Sequence, residues 1–338
     1  MSAIKQRDSN LELLRIVAMS MIVIYHIFVH GISPVYVGSH SILTVWYVPF
    51  IFGVNLFILI SGYYGIRLSW KSFLSLMWII VFYKLFHLIV DTTCLGIHHA
   101  WWEWIVKPLS APASGGGWFV DIYILLMLVS PMLNKLLNGC SKGDLLKYSV
   151  IVLLLDMGYG FILNKHFDPY GYSLIHFVCL YIIGYGLKSY QNVSVKDSWK
   201  VYILVVSCLL LANLLFPDNH WIVKFSNSYA SPFIVLGAIF LFLIFVRTNI
   251  AHHPFINFVA ASMFPVYLIH EGGNVSKWYY ATVEEWWTTL SIPTFLLYTA
   301  GFIIALFVLT ISVDQLRKKC WSLISCKLFN YANQQLAF

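Results

Sequence analysis

Two ionisable residues in the first apolar run, Arg15 and His26, have a spacing that suggests chemistry. Eleven positions separate them, which in an α-helix is three turns plus about 20°, so both side chains leave one face. The rise of about 16 Å puts Arg15 at a membrane interface and His26 beyond the bilayer midplane. Arg15 can hold an anion, and a neutral imidazole can take a proton near pH 7. A snorkelling arginine with a structural histidine explains the same spacing, so both interpretations stand.

The helix that carries this pair belongs to a chain with the composition of a membrane protein. Hydrophobic residues make up 60% of the chain and charged residues 10%, whereas about a quarter of a soluble domain is charged. We therefore predict an all-α, polytopic integral membrane protein. The net charge of +7 comes from short clusters between apolar runs, which argues against a nucleic-acid partner. The six cysteines show no CxxC pair and no metal-ligand spacing, so neither a disulfide framework nor a metal site is expected.

Ten apolar segments qualify as candidate transmembrane helices, which need about 20 residues each. With the N-terminus in the cytoplasm, 16 of the 21 Lys and Arg residues fall on the cytoplasmic side and Lys84 lies within a helix, as the positive-inside rule requires. We predict about ten transmembrane helices in one domain over 1–338, both termini cytoplasmic, and a short cytoplasmic tail at 314–338. The predicted segments are 11–30, 43–62, 73–92, 118–137, 148–164, 173–188, 201–217, 229–246, 255–271 and 292–313.

Other ionisable residues within these segments are functional hypotheses, because an unpaired charge in lipid is costly. Asp121, just inside the fourth segment, is a candidate for orienting His26. Lys84 and Asp91, seven apart in the third segment, are expected to form a structural ion pair. His270 and Glu271, at the outer end of the ninth segment, could bind an acceptor or tune a pKa, or could face water at the interface.

Tryptophans are frequent in the predicted outer loops. They could anchor the protein at the lipid headgroups, where aromatic belts form, or they could stack against a sugar ring. These tryptophans are Trp101, Trp102, Trp104, Trp221, Trp278, Trp286 and Trp287.

Five short motifs follow one another along almost the whole chain. The first is Arg15-x10-His26, in a stretch that opens with Asn10-Leu11-Glu12-Leu13-Leu14-Arg15-Ile16, and the second runs from Asn55 to Tyr63 and contains Ser61-Gly62. The third is Trp118-Phe119-Val120, followed by Tyr123 and Pro131. The fourth runs from Tyr181 to Gly184, and the fifth is Tyr267-Leu268-Ile269-His270. In this order they resemble the signature of the membrane acyltransferase 3 family, integral membrane enzymes that modify surface polysaccharides. The chain departs from the family pattern in having few basic residues between Arg67 and Lys71, and in having Glu271 where Pro is frequent.

The resemblance implies an O-acyltransferase that moves acetyl from cytoplasmic acetyl-CoA to a hydroxyl of a cell-surface polysaccharide or its lipid-linked precursor. It implies that His26 is catalytic and that Arg15, Arg67 and Lys71 contact CoA. Acetyl-CoA is then a substrate, no permanently bound cofactor is expected, and the partners are the glycan and membrane lipid in a bacterial plasma membrane. The residues expected to bind substrate or to support the site are Glu12, Ser61, Trp118, Asp121, Tyr267, His270 and Glu271.

Two functions of other classes remain as alternatives. A transporter or flippase of a lipid-linked glycan often has inverted repeats and broken helices, and the sequence shows neither. A glycan polymerase is expected to have a large outer loop, whereas the longest one here, about 93–117, is short. Consumption of acetyl-CoA distinguishes the acyltransferase from both.

Overall fold

The computed structural model describes residues 8–114, 117–165, 168–189 and 193–335. Helices account for 82% of the chain, and the described ranges contain no strand, which confirms the predicted all-α class. Lys5, Arg7 and the side chain of Lys327, which enter the charge count, lie outside this part.

Helices suited to a membrane correspond to all ten predicted segments. In the part of the chain that is described, eight are long and apolar enough to cross a bilayer, and two shorter apolar helices, Leu174–Ser189 and Pro254–His270, match the sixth and ninth segments. The number that cross, and the side on which the termini lie, remain predictions. The eight are Ser9–Val35, His40–Tyr64, Trp70–Thr93, Trp118–Leu137, Lys142–Ile162, Val195–Leu215, His220–Arg247 and Ile292–Cys326.

Three features differ from the predicted segments. The last helix does not end near residue 313 but continues from Ile292 to Gln335. Two further helices, Glu103–Ser114 and Gly273–Thr289, occupy regions predicted as loops. Neither region is an apolar run of about 20 residues, but a helix does not need such a run to form.

The chain divides into two compact units, and the single domain remains a prediction. Unit 1 consists of Met1–Leu68, Trp118–Met263 and Tyr280–Thr289. Its α-helices are α1 (Ser9–His26), α2 (His40–Tyr47), α3 (Gly53–Tyr64), α6 (Trp118–Leu137), α7 (Lys142–Leu153), α8 (Leu174–Gly186), α9 (Val195–Leu215), α10 (His220–Asn227), α11 (Pro232–Arg247) and α12 (Pro254–Ala260), with part of α14 (Gly273–Thr289).

Two glycines let α3 and α8 pack backbone to backbone in unit 1. A Cβ atom on Gly62 would lie 2.2 Å from the carbonyl oxygen of Tyr181, and one on Gly184 would lie 2.4 Å from that of Leu59. Small residues permit this close approach between membrane helices. The Ser61-Gly62 and Gly184 motifs therefore have a packing role.

Unit 2 consists of Ser69–Gly117, Phe264–Tyr279 and Leu290–Phe338. Its core includes a polar contact between two long helices, where the Tyr83 hydroxyl donates to Oδ1 of buried Asp314 at 3.4 Å. Asp314 is also paired with Lys318 at 2.9 Å. The α-helices of this unit are α4 (Trp70–Thr93), α5 (Glu103–Ser114), most of α13 (Met263–His270), the start of α14 and α15 (Ile292–Gln335).

Candidate active site

Arg15 is oriented within α1 by two neighbours. Its Nη1 donates to Oε1 of Glu12 at 2.7 Å, and its guanidinium carbon lies 5.8 Å from the centroid of the Tyr64 ring. The Glu12 carboxylate is buried, whereas the Arg15 side chain is 29% exposed. A guanidinium carries five N–H donors in a rigid fork, so one held in this way can present donors to an anion. Glu12 thus orients Arg15, and the role of both residues in a site stays a prediction.

His26 is the last α-helical residue of α1 and is 7% exposed. The centroid of its ring lies 5.8 Å from that of Tyr25 and 5.2 Å from that of His30. The chain then passes directly into a π-helix over Ile27–Ile32. π-helical turns are rare and are frequent at functional sites. A second one, Leu154–Ile162, lies in the same unit, so the irregularity accompanies His26 but does not by itself identify it.

The π-helix is packed closely against the end of α14 that belongs to unit 1. A Cβ atom on Gly31 would lie 2.7 Å from Cγ1 of Val283, so the segment requires glycine there. The ring centroid of His30 lies 5.2 Å from that of Tyr280. His30, four positions after His26 and therefore on the same helical face, is a residue that the sequence analysis missed although this spacing pointed to it.

The other predicted residues on α3 and α6 do not all reach the His26 region. The Ser61 hydroxyl donates to the carbonyl of Phe57 at 2.9 Å and lies 3.4 Å from the Tyr123 hydroxyl. No hydrogen bond or ion pair joins Asp121 to His26, and Asp121 Oδ1 is buried without a partner among the described residues. The predicted orienting contact is therefore absent, because α6 places this carboxylate elsewhere.

Trp118 lies in an aromatic cluster at the start of α6. Its ring is perpendicular to that of Tyr172, with centroids 4.5 Å apart, and stacks near Tyr229 at 5.8 Å. Phe177 is a third neighbour at 6.1 Å. The cluster orders the end of α6 that carries the Trp-Phe motif.

Arg67 and Lys71 are both exposed. Arg67 lies in the turn after α3, which is held by hydrogen bonds from the Ile66 amide to the Tyr181 hydroxyl (2.8 Å) and from Asn134 Nδ2 to the Ile66 carbonyl (2.7 Å). Tyr181 in the fourth motif therefore supports the turn that carries Arg67. Lys71, in unit 2, belongs to the first turn of α4.

In unit 2, His270 is fully buried. Its Nδ1–H donates to the carbonyl of Val266 at 2.7 Å, and its ring is perpendicular to that of Tyr267, with centroids 5.9 Å apart. The interpretation that His270 faces water is therefore wrong, because α13 turns it into the protein. Glu271 follows at the end of α13 and is partly exposed.

His87 on α4 is a buried histidine that the sequence analysis missed. Its Nε2–H donates to the carbonyl of Leu268 at 2.8 Å, and its Nδ1 is buried with no partner in the part of the chain that is described. A Cβ atom on Gly272 would lie 2.1 Å from His87 Nε2, so only glycine fits beside the imidazole. His87 also lines a cavity of about 20 Å³ with Lys84 and Glu271, enough for one water molecule.

Asp91 is not paired with Lys84, so the predicted ion pair is wrong. Among the described residues, Asp91 Oδ2 accepts hydrogen bonds from His99 Nε2 and from Asn274 Nδ2, both at 2.9 Å. The spacing of Lys84, His87 and Asp91 (i, i+3, i+7) places them on one face of α4. That pattern could have identified a polar helix face, although not its partners.

Beside Asp91, Glu103 opens α5 and contacts Lys107. The hydrogen bond from Lys107, together with that from the Ala100 amide at 2.8 Å, holds the pKa of the Glu103 carboxyl below its ordinary value. This partly exposed carboxylate therefore stays ionised through the physiological range and attaches the start of α5 to the loop before it.

A fully buried polar network in unit 1 was also missed. His176 Nδ1 lies 2.7 Å from Asp156 Oδ2, and its Nε2 lies 3.1 Å from Asn55 Oδ1. Asn55 Nδ2 donates to the carbonyl of Tyr229 at 2.9 Å, so its oxygen faces the imidazole and Nε2 must carry a proton. A further proton then lies between His176 Nδ1 and Asp156 Oδ2. With both ring nitrogens engaged, this histidine has an architectural role.

The fold consists of helices, most of them long and apolar enough to cross a membrane, and α1 carries both Arg15 and His26. Residues 8–313 match the family model of the acyltransferase 3 family, described as an acyltransferase domain. The chain therefore belongs to this family and is a multi-pass membrane acyltransferase, which confirms the resemblance carried by the five motifs. No curated protein and no solved structure matches the chain.

Proposed function

We propose that the protein is an acyl-CoA-dependent O-acyltransferase of a bacterial plasma membrane, which moves acetyl from cytoplasmic acetyl-CoA to a hydroxyl of a cell-surface polysaccharide or its lipid-linked precursor. The observation that carries the proposal is the position of His26, buried at the point where α1 becomes a π-helix and aligned with the oriented cation Arg15 on the same helix.

Arg15 supplies the donor end of the proposed site. Glu12 and Tyr64 hold its guanidinium from two sides, which favours binding of a CoA phosphate through charge-assisted hydrogen bonds. The rise of about 16 Å from Arg15 to His26 is comparable to the extended pantetheine arm, so a thioester anchored at Arg15 can reach the imidazole.

His26 supplies the acid–base chemistry. A neutral imidazole nitrogen takes the proton of the acceptor hydroxyl while the oxygen attacks the thioester carbonyl. The new C–O bond forms, the C–S bond breaks, and the CoA thiolate leaves and recovers the proton as a thiol. In the covalent variant, the imidazole attacks the thioester first and the acceptor oxygen then removes the acyl group from nitrogen. Both routes consume one acetyl-CoA for each ester formed.

The test uses purified full-length protein in lipid nanodiscs with acetyl-labelled acetyl-CoA and surface polysaccharide extracted from acetylation-deficient cells. We expect the label to appear in an alkali-labile ester on the glycan and free CoA to be released in equal amount. A flippase or a polymerase consumes no thioester, so unchanged acetyl-CoA in the presence of a competent acceptor would contradict the proposal. Release of CoA without glycan labelling would contradict the acceptor assignment alone.

A further inference from the structure

A polar cleft opens in unit 1 where the start of α1 meets the end of α11. Its volume is about 510 Å³, within the range of small-molecule binding sites. It lies at the end of α1 that carries Arg15, which the charge bias assigns to the cytoplasm. The cleft is lined by Asp8, Ser9, Asn10, Leu11, Tyr63, Val246, Arg247, Thr248, Asn249, Ile250 and His252.

Hydrogen bonds between distant parts of the chain hold the walls of the cleft together. Asn10 Nδ2 donates to the carbonyl of Phe245 at 3.0 Å, which joins α1 to the last turn of α11. Ser9 Oγ donates to Asn257 Oδ1 at 3.0 Å and accepts from the His253 amide at 2.8 Å. Because the two helix ends and the loop between α11 and α12 are joined, the cleft is preformed.

Charged side chains of both signs line the cleft. Arg247 is the basic one, and Lys188, outside the lining, has its Nζ 5.9 Å from the centroid of the Tyr63 ring in the wall. Asp8 is the one acidic residue among the described lining residues and accepts a hydrogen bond from the Tyr64 hydroxyl at 3.1 Å. A ligand that carries both a phosphate and hydrogen-bond donors matches these residues.

The cleft is connected to the donor cation by a short series of contacts. Asp8 binds the Tyr64 hydroxyl, and the Tyr64 ring carries the Arg15 guanidinium at 5.8 Å. Tyr64 therefore links the wall of the cleft to Arg15.

We propose that this cleft binds the phosphorylated nucleotide end of acyl-CoA, with a phosphate at Arg247, its purine ring at Tyr63, and Asp8 accepting from the purine amino group or the ribose hydroxyl. The assignment rests on the proposed acyl-CoA-dependent function. It adds a binding site for the nucleotide, because the Arg67–Lys71 segment offers only two exposed cations for that purpose.

The experiment measures the binding of CoA and of 4′-phosphopantetheine, which lacks the nucleotide, to the full-length protein in phosphatidylcholine nanodiscs. We expect Arg247→Ala to weaken CoA binding by about 10- to 100-fold, since a hydrogen bond to a charged group is lost, and to leave phosphopantetheine binding unchanged. Tyr63→Leu should weaken CoA binding selectively in the same way, without removing a charge. Lys200→Ala is the matched control, because it removes an exposed cation of α9 outside the cleft.

Unchanged CoA affinity in both Arg247→Ala and Tyr63→Leu, with acyl transfer retained, would overturn the nucleotide subsite and leave the proposed function intact. Absence of CoA binding by the wild-type protein would overturn both. A lipid phosphate has the same chemistry as a nucleotide phosphate, so the measurement is repeated with anionic phospholipid added. If anionic lipid binding, and not CoA binding, depends on Arg247, the cleft is a headgroup site and the proposal is wrong.

Discussion

Unit 1 contains two buried histidines whose surroundings differ. His176 has no exposed surface, and both of its ring nitrogens are engaged, by Asp156 and by Asn55. His26 keeps a small exposed fraction, lies beside the rings of Tyr25 and His30, and precedes a π-helix. Burial of an ionisable group in a membrane helix therefore does not by itself indicate a catalytic role. The partners of both ring nitrogens indicate an architectural role for His176, whereas the face of α1 that His26 shares with Arg15 favours a reactive role for His26.

The largest effect is expected from substitution of His26, the histidine to which we assign the chemistry. We predict that His26→Ala lowers acyl transfer by about 10²- to 10⁴-fold, the usual cost of losing a general base, while membrane abundance and acetyl-CoA binding stay near normal. Transfer rates, quantitative blots and donor affinity of the same preparation check this. His220→Ala, at an exposed histidine that opens α10, is the control. Retention of more than a tenth of the activity would make His26 structural and remove the contrast.

His176 should show the opposite pattern. His176→Ala leaves Asp156 buried without its partner, and breaking a buried pair in this way costs about 3–5 kcal/mol. We expect less folded protein in the membrane and a lower thermal unfolding midpoint, but activity per folded molecule within a few-fold of wild type. Thermal unfolding in detergent, combined with specific activity, measures both. If activity per folded molecule fell as far as in His26→Ala, the architectural assignment would be wrong.

Substitution of Arg15 tests whether the site around His26 includes a binding site for the acyl donor. Arg15→Ala should weaken acetyl-CoA binding by about 10- to 100-fold, and Arg15→Lys should restore binding only in part, since a point charge cannot reproduce the guanidinium fork. The loss should deepen at high salt, which screens the remaining attraction. If Arg15 only anchors α1 at the interface, Lys should restore full activity and Ala should reduce membrane abundance. Donor affinity and abundance of both variants decide between these outcomes.

The smallest effect concerns a partly exposed carboxylate, that of Glu103, in contrast to buried Asp156. The pKa of Glu103 is held low by Lys107 and by the Ala100 amide, so its stabilising contribution is present above the unfolded value of about 4.3. That contribution is lost as the pH falls through the lower folded pKa. We expect Glu103→Gln to lower the thermal unfolding midpoint slightly near neutral pH, with the difference fading in acid. A difference that persisted below the folded pKa would show that the effect is not electrostatic.

Much of the helical architecture and part of the site could be predicted from the sequence. Every predicted segment has a helix, and one continuous helix, α1, carries both Arg15 and His26. The contact of Asp121 with His26 and the Lys84–Asp91 pair were predicted wrongly, and the sequence left the exposure of His270 open. In each case the missing information was which neighbouring helix the side chain meets, which a single apolar run does not reveal.

The sequence by itself determined the fold class, the shared face of Arg15 and His26, and the family, because hydropathy, helical period and short motifs are local properties of the chain. The tertiary structure alone decided the π-helix after His26, the engagement of His176 by residues 20 and 121 positions away, and the cleft that joins residue 8 to residue 247. In lipid, almost any apolar helix face can pack against another. The close contacts at a few glycines and polar side chains select the pairing, and they exist only once the helices have met.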